Sequence, residues 1–277
     1  MKEGIFTYQQ LSLYHLEWGT GNDVILCFHG FGRTSADFEL FTPLLQTNQR
    51  IIAINLLAHG ASQFDVSRAY INALQPKEWL DCLKAFLDEK GVQKFHLMGY
   101  SMGGRVALCT WEWMPERVKS AILLAPDGLK KSLLYQFASG TRIGRAIYRS
   151  CIENPNWLFS IANQLHRLKI LHPKLFRFLH VHLDTRSKRQ QVYDAWLAYR
   201  AFFPNLARLG QIHSIHSIPV FLLFGKNDSI IRPDLATRLT SRFKTPVKII
   251  ILPSGHRLFH QITLDAMIDE KIWPGQS

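Results

Sequence analysis

Long apolar runs are missing from this 277-residue sequence. No uninterrupted stretch approaches the roughly 18–20 apolar residues that a transmembrane helix needs. The first residues, MKEGIFTYQQLSLYHLEW, contain no apolar core of the kind found in secretory signal peptides. Internal repeats and low-complexity tracts are also absent. We therefore expect a cytoplasmic protein with neither a transmembrane helix nor a cleaved leader.

Cysteine is scarce and shows no paired spacing. Four residues, in or near apolar segments, make up the whole set: Cys27, Cys82, Cys109 and Cys151. A disulfide framework or a zinc site of the C-x-x-C type would require cysteines at matched spacings. The four thiols are therefore expected to be reduced and mostly buried, as in a protein of a reducing compartment.

Motifs for phosphate and metal binding are missing as well. The sequence contains neither a G-x-x-x-x-G-K-[ST] loop nor an H-E-x-x-H helix. His180 and His182 are two residues apart, and on a helix that spacing points the two imidazoles in different directions. We therefore expect no metal and no cofactor.

Acidic residues are outnumbered, since 21 Asp and Glu oppose 33 Lys and Arg and leave a net charge of +12. Fourteen of the basic residues lie in the segment 129–215 with only three acidic ones, so this segment alone carries +11. Such asymmetry indicates an anionic substrate, an anionic membrane surface, or simply a solvated basic face. Nucleic acid is not expected as a partner, because no binding module is recognisable. No obligate protein partner is inferred.

Apolar residues make up 47% of the sequence and form short continuous runs. Two alternating segments, 5–10 and 11–18, predict an antiparallel hairpin at an edge of the sheet. Buried strands are then predicted at 24–28, 50–56, 95–98, 118–125, 219–224 and 247–252.

Segments with helical periodicity separate these runs. Helices are predicted at 36–45, 76–91 and 258–270, and within the basic segment at 133–148, 157–168, 173–183 and 186–203. The alternation of strands and helices predicts the α/β class, with a mostly parallel, eight-stranded sheet covered by helices on both faces.

The pentapeptide Gly99-Tyr100-Ser101-Met102-Gly103 lies between a predicted strand and a predicted helix. Its pattern, G-x-S-x-G, is that of a nucleophile elbow, in which a serine stands at the apex of a sharp strand-to-helix turn. Glycines at both outer positions let the strand and the helix approach each other, because they lack Cβ atoms. The N–H of Met102 would lie at a helix N-terminus, where partial positive charge favours an oxyanion.

Three other loops follow predicted strands and carry groups that an activated serine requires. They are the HGFG loop at 29–32, the loop with Asp228 and the loop with His256. An imidazole must take the proton of the serine, and a carboxylate must fix the tautomer of the imidazole. Because parallel strands end at one edge of a sheet, these groups are predicted to converge there. Asp127 follows an earlier strand and stays open as an alternative to Asp228.

In this chain order, the HGFG loop, the elbow, the Gly225–Asp228 turn and the Gly-His pair ending at His256 resemble the α/β-hydrolase superfamily. The resemblance implies a core formed by 1–128 and 214–277, with the basic segment 129–213 inserted as the superfamily's variable helical cap. One departure is the stretch 55–62, where the family's D-x-P-G-H-G-x-S turn reads NLLAHGAS. His59 is accordingly expected to be a structural turn residue.

The resemblance also implies a role for each candidate residue. Ser101 would be the nucleophile, His256 the general base and acid, and Asp228 the group that orients the imidazole. Backbone N–H groups of Phe31 and Met102 would form the oxyanion hole. The expected function is a serine hydrolase that cleaves a carboxylic ester or related acyl bond of a small molecule through an acyl-enzyme on Ser101.

Two other functions stay open at this point. GYSMGGR, which ends at Arg105, resembles the elbow of the superfamily's menaquinone-pathway lyase (SHCHC synthase), which uses the same triad on an anionic substrate. Tyr100 and Arg105 are candidate substrate contacts, since an arginine suits a carboxylate. The other alternative is a non-catalytic member that binds a ligand. The basic cap could hold a small anionic substrate or rest on anionic lipid headgroups.

Overall fold

One eight-stranded sheet organises the protein in a computed structural model, which describes residues 1–69, 72–171, 173, 176, 180, 183–245 and 247–275. The strands are β1 (Lys2–Tyr8), β2 (Leu11–Gly19), β3 (Asp23–Phe28), β4 (Gln49–Ile54), β5 (Phe95–Tyr100), β6 (Val118–Leu124), β7 (Val220–Gly225) and β8 (Lys248–Leu252). Across the sheet they follow the order β1-β2-β4-β3-β5-β6-β7-β8. β2 pairs antiparallel with β1 and β4, and all the other neighbours pair parallel. The predicted α/β class and mostly parallel eight-stranded sheet are confirmed.

The helices of the described chain lie between and after these strands. They are α1 (Val66–Ala69), α2 (Pro76–Glu89), α3 (Met102–Trp113), α4 (Leu133–Gly140), α5 (Arg142–Glu153), α6 (Asn156–Arg167), α7 (Arg186–Ala198), α8 (Leu206–His216), α9 (Thr237–Thr240) and α10 (Gln261–Asp269). Three 3₁₀ segments accompany them, at Ser35–Leu44, Pro115–Arg117 and Pro233–Ala236.

The central strands are mostly apolar because helices bury both of their faces. Every residue of β5 is buried, and in β3 only the first residue is partly exposed. Phe28 at the end of β3 packs on Trp79 of α2, which in turn meets the ring of Phe202. All three side chains are fully buried. This packing holds the carboxyl end of β3, from which the HGFG loop emerges.

Two predicted helices take a different form. The segment predicted as a helix at 36–45 is a 3₁₀ helix over Ser35–Leu44. Pro43 lies inside it, and a proline cannot donate the backbone hydrogen bond that an α-helix requires. The helix predicted at 133–148 is broken between α4 and α5. Thr141 is extended at that point, and its hydroxyl caps α5 by accepting the N–H of Gly144.

Two further differences concern the basic segment and its surroundings. The helix predicted at 186–203 ends at Ala198, and α8 (Leu206–His216) was not predicted. The start of α8 carries a readable signal, because the side chain of Asn205 accepts two N–H groups of its first turn. Most of the helix predicted at 173–183 lies outside the described residues, as does His182.

The chain divides into two compact units. The larger consists of Met1–Phe64, Gln75–Lys130 and Phe202–Ser277 and contains the whole sheet. The smaller consists of Asp65–Leu74 and Lys131–Ala201. This smaller unit is not identical with the predicted insertion at 129–213, because α8 belongs to the larger unit. The N–H of Asn205, before α8, donates to the Glu112 carboxylate on α3 at 2.7 Å.

Within the described ranges, no helix is long and apolar enough to cross a membrane. All four cysteines are free and buried, as the sequence predicts. Burial raises the pKa of the Cys82 thiol to about 12, so this thiol stays protonated at neutral pH.

Candidate active site

Ser101 occupies a sharp turn between β5 and α3. Its backbone lies at φ 51° and ψ −117°, a region that residues other than glycine rarely adopt. Its N–H donates to the carbonyl of Leu124 at 2.9 Å, and its carbonyl accepts the N–H groups of Gly104 and Asp127. The turn is therefore held on both sides in a strained conformation, which directs the serine side chain out of the helix that follows.

Two glycines permit this turn for steric reasons. A Cβ atom at Gly103 would overlap the backbone carbonyl of Phe28, which cannot move out of the way. A Cβ atom at Gly30 would come within 2.7 Å of the Tyr100 ring and within 3.2 Å of the Ser101 Cβ. The HGFG loop therefore packs directly against the elbow, as an oxyanion loop must.

Three side chains from separate loops form a hydrogen-bonded chain at the carboxyl edge of the sheet. Ser101 Oγ lies 3.0 Å from His256 Nε2. On the other side of the ring, His256 Nδ1 lies 2.6 Å from Asp228 Oδ2. Nδ1 must carry the proton to donate to the carboxylate, which leaves Nε2 as the acceptor for the serine hydroxyl. The arrangement can transfer the Ser101 proton to a neutral imidazole and stabilise the imidazolium that results.

Backbone groups of its own loop fix the Asp228 carboxylate. Its Oδ1 accepts the N–H groups of Ile230 and Ile231 at 2.8 and 2.9 Å, which leaves Oδ2 for the imidazole. The Asp228 side chain is fully buried, whereas that of His256 is 19% exposed. A buried, hydrogen-bonded carboxylate beside a partly exposed imidazole matches the requirements of a base that must reach a substrate.

Tyr100 and Phe259 support the imidazole. The Tyr100 hydroxyl donates to the carbonyl of His256 at 3.0 Å, and burial raises the pKa of Tyr100 to about 12. Phe259 meets the Tyr100 ring edge-on, with ring centroids 5.0 Å apart. Tyr100, expected as a substrate contact, is thus committed to the loop that carries His256. Sequence reasoning missed Phe259, because its place in an apolar C-terminal segment gives no signal of a role near the site.

His29 anchors the HGFG loop through hydrogen bonds to backbone groups. Its Nε2 accepts the N–H of Leu56 at 2.9 Å, and its Nδ1 donates to the carbonyl of Gly30 at 2.7 Å. The ring of His59 packs edge-on at 5.1 Å, and the ring of Phe31 meets His59 at 5.5 Å. Burial lowers the pKa of His29 to about 3, so His29 is neutral at physiological pH. His29 and His59 are both buried, and their contacts hold the loop in position.

The comparisons with known proteins agree with this architecture. A family model described as the α/β hydrolase fold matches residues 23–154. The 2-hydroxy-6-oxononadienedioate/2-hydroxy-6-oxononatrienedioate hydrolase of Klebsiella pneumoniae is 28% identical over 258 residues, which cover 89% of this chain and 85% of that protein. A solved thermophilic esterase from Thermogutta terrifontis (malate bound) has a TM-score of 0.66 at 20% identity, covering 98% of this chain and 97% of that one. The chain has the α/β-hydrolase fold.

A further relative matches only part of this chain. The dihydrolipoyllysine-residue acetyltransferase component of the acetoin cleaving system from Pseudomonas putida is 33% identical over 122 residues. The chain spans about a third of the length of that protein, 32%, and the match covers 44% of this chain. The relatives that match about nine tenths of this chain are named as hydrolases, which supports a hydrolase.

The alternative acid, Asp127, forms contacts away from His256. Its Oδ1 accepts the N–H of Gly128 at 2.6 Å, and its Oδ2 lies 3.4 Å from Nε of Arg105. Arg105 is only 3% exposed, and its guanidinium lies over the ring of Phe203 at 5.3 Å. The structure therefore brings Asp228, and not Asp127, to His256. Arg105 thus forms an internal ion pair with Asp127, and its role as a substrate contact stays a prediction.

No group of three or more His, Cys, Asp or Glu that could hold a metal ion occurs in the described part of the chain. The site just described contains one buried carboxylate and one imidazole, and each is hydrogen-bonded within the site. An imidazole paired in this way can act as a base towards a nucleophile.

Because His29 is buried and neutral, we predict that the folded protein loses stability in mild acid. Its pKa is about 3 in the folded protein against 6.5 for an exposed histidine, so the unfolded state binds the proton more tightly. The contribution is fully present above pH 6.5 and is lost as the pH falls from 6.5 towards 3. Over that range the free energy of unfolding should fall by about 1.4 kcal/mol per pH unit for this group alone. Urea denaturation at several pH values would measure it.

His29→Gln provides the control for this experiment. Its stability should depend less steeply on pH between about 5 and 6.5, because one titrating group is gone. Glu17 does not contribute to the pH dependence between about 5 and 6.5, because the hydrogen bond from His15 and the nearby cations hold the pKa of Glu17 at about 2. Stability from Glu17 is lost only as the pH falls from 4.5 towards 2. Equal slopes for the variant and the wild type would contradict the prediction. Burial also lowers the pKa of His59, so some dependence should remain.

Proposed function

We propose that this α/β hydrolase is a serine hydrolase that cleaves a carboxylic ester, or a related acyl bond, through an acyl-enzyme on Ser101. One observation carries the proposal, the hydrogen-bonded chain from Ser101 Oγ through His256 to the buried Asp228 carboxylate. A serine hydroxyl is a weak nucleophile at neutral pH until a base takes its proton, and this chain supplies the base.

In the proposed reaction, Ser101 Oγ attacks the acyl carbonyl carbon while His256 Nε2 takes the hydroxyl proton. The resulting oxyanion accepts hydrogen bonds from the backbone N–H groups of Phe31 and Met102. Met102 is the first residue of α3, so its N–H has no acceptor within the helix. Imidazolium then gives the proton to the leaving alkoxide, and the acyl–enzyme ester remains on Ser101.

A second half-reaction restores the enzyme. Water loses a proton to His256 Nε2 and attacks the acyl carbon, the bond to Ser101 Oγ breaks, and the serine regains its proton. Asp228 keeps its negative charge throughout and stabilises the imidazolium formed in each half. Each oxyanion donor contributes about 2.7–4 kcal/mol to such reactions, so the HGFG loop is part of the proposed machinery.

A fluorophosphonate probe tests the activated serine directly. The purified protein should be labelled on Ser101, and the labelled peptide identified by mass spectrometry. A panel of p-nitrophenyl esters of increasing chain length should then show turnover. Absence of labelling would contradict an activated serine. Labelling without turnover of any ester would contradict the ester substrate and favour the lyase or ligand-binding alternatives. 2-Hydroxy-6-oxononadienedioate should be assayed beside the esters, because the name of the Klebsiella relative specifies that substrate.

A further inference from the structure

Three successive helices of the smaller unit expose large apolar side chains. Each of α4, α5 and α6 contributes a pair spaced about one helical turn apart, which places the pair on one face. The six residues, called the apolar rim below, are Leu134, Phe137, Ile143, Ile147, Trp157 and Ile161. Their exposed fractions lie between 38% and 68%.

Four of the six rim residues meet at one opening. Leu134, Phe137, Ile147 and Trp157 all line one open cavity of about 190 Å³ within the smaller unit. Deeper side chains such as Cys151 also face this cavity. Apolar side chains of three helices that meet at a common opening form the kind of patch that marks an interaction with another molecule.

Basic residues accompany the rim on α5. Arg142, Arg145 and Arg149 are spaced three and four residues apart, so they form one stripe along the helix. Ile143 and Ile147 form a second stripe on the same helix, and both are exposed. An apolar stripe and a cationic stripe on different faces of one helix form the pattern of amphipathic helices that lie in the interface of a lipid bilayer.

The charge of the whole smaller unit has the same sign. Its two sequence segments, 65–74 and 131–201, contain thirteen Lys and Arg against four Asp and Glu. A second copy of this chain would bring an equally cationic face against the rim, and the repulsion opposes such a dimer. An anionic bilayer instead offers negative headgroups to the arginines and hydrocarbon to the rim.

We propose that this face of the smaller unit docks on the surface of an anionic lipid bilayer. The apolar rim enters the boundary between headgroups and acyl chains, while Arg142 and Arg149 lie at the level of the lipid phosphates. Binding is peripheral and reversible, since it depends on a few apolar side chains and on charge attraction that salt screens.

Vesicle sedimentation of the full chain tests this directly. The Ser101→Ala protein is used throughout, so that no lipid can be hydrolysed through the proposed acyl-enzyme. The probes are vesicles of phosphatidylcholine alone and vesicles containing about one third phosphatidylglycerol. We expect sedimentation with the anionic vesicles at low salt, much less with the neutral ones, and a decline as the salt concentration rises.

A pair of matched double variants tests the rim. Ile143→Ser with Ile147→Ser should weaken binding to anionic vesicles about tenfold or more, because both apolar side chains leave the interface. The control is Ile262→Ser with Ile268→Ser on α10, whose side chains are 46% and 49% exposed. It makes the same chemical change in the larger unit and should bind like the parent protein.

A second pair tests the charge. Arg142→Gln with Arg149→Gln should weaken binding about fivefold per arginine and reduce its salt dependence. The control, Lys2→Gln with Lys94→Gln, removes the same charge from exposed positions of the larger unit. Circular dichroism and thermal melting check that each variant is folded.

Three results would overturn the proposal. The first is no binding of the parent protein to anionic vesicles at low salt. The second is equal weakening by a test pair and its control, which would leave only a general effect of charge or surface polarity. The third is a dimer in light scattering that the rim variant dissociates, because the rim would then be the contact between two copies.

Discussion

Ser101→Ala is expected to lower kcat for ester hydrolysis by about 10⁶-fold, with little change in KM. The hydroxyl supplies the bond-forming oxygen in the proposed reaction, and alanine removes it while keeping the Cβ atom. Alanine also suits the backbone at φ 51° no worse than serine does, so the elbow should keep its shape. Remaining activity would come from the oxyanion donors and substrate binding alone.

Steady-state kinetics on the best p-nitrophenyl ester, together with fluorophosphonate labelling, provide the measurement. Ser254→Ala is the matched control, because Ser254 is a partly buried serine two residues before His256. Its hydroxyl lies 3.4 Å from the carbonyl of Gly255 and takes no part in the proposed chain of proton transfers. A Ser101→Ala protein with a tenth or more of the parent activity would show that another nucleophile is at work.

Asp228→Asn should have the second largest effect, a fall in kcat of about 10⁴-fold. The amide can still accept the N–H groups of Ile230 and Ile231, so the loop should fold normally. Its NH₂ group facing His256 would, however, donate to Nδ1 and leave the proton on Nε2. That tautomer cannot accept the proton of Ser101, and the imidazolium would lose its neighbouring charge.

Asp127→Asn is the comparison that decides between the two carboxylates. Because Asp127 lies beside Arg105 and accepts from Gly128, its substitution should change kcat by no more than a few-fold. Both variants should be assayed for kcat, KM and the rate of fluorophosphonate labelling. Loss of labelling in Asp127→Asn with normal labelling in Asp228→Asn would reverse the assignment.

Local sequence reasoning identified the elbow correctly for a physical reason. A serine at the apex of a strand-to-helix turn requires glycines where backbones come into contact, and these requirements appear as a pattern within five residues. The structure gives the contacts behind the pattern, with the Phe28 carbonyl directly against the position of a Cβ at Gly103. The break between α4 and α5 also has a local cause, because the hydroxyl of Thr141 caps α5. The sequence analysis missed this break because the apolar residues on both sides of it keep a helical spacing.

Long-range packing decided what the linear sequence left open. Asp127 and Asp228 both follow strand ends, and nothing near either one distinguishes a triad carboxylate from an ion-pair partner. The choice depends on the position of His256, 28 residues beyond Asp228 in the chain. Arg105 likewise resembles a substrate contact in the sequence, and only its burial against Asp127 and Phe203 assigns it to the interior.

The sequence also could not show that the side chains of the apolar rim are exposed. Periodicity shows that α4, α5 and α6 each have an apolar face, but it cannot show whether a neighbouring element covers that face. The structure leaves Ile143 and Ile147 in contact with water and gathers Phe137 and Trp157 around one cavity. The excess of basic residues in the segment 129–215, in contrast, could be found by counting charged residues in the sequence.

The sequence by itself thus determined the fold class, the mostly parallel sheet and the sharp turn at Ser101, because periodicity and backbone crowding act over a few residues. Tertiary structure alone decided which carboxylate meets His256 and that Arg105 is buried. It also decided which apolar side chains of the smaller unit remain exposed. These outcomes depend on contacts between segments far apart in the chain, and the free energy of such a contact is not encoded in either segment alone.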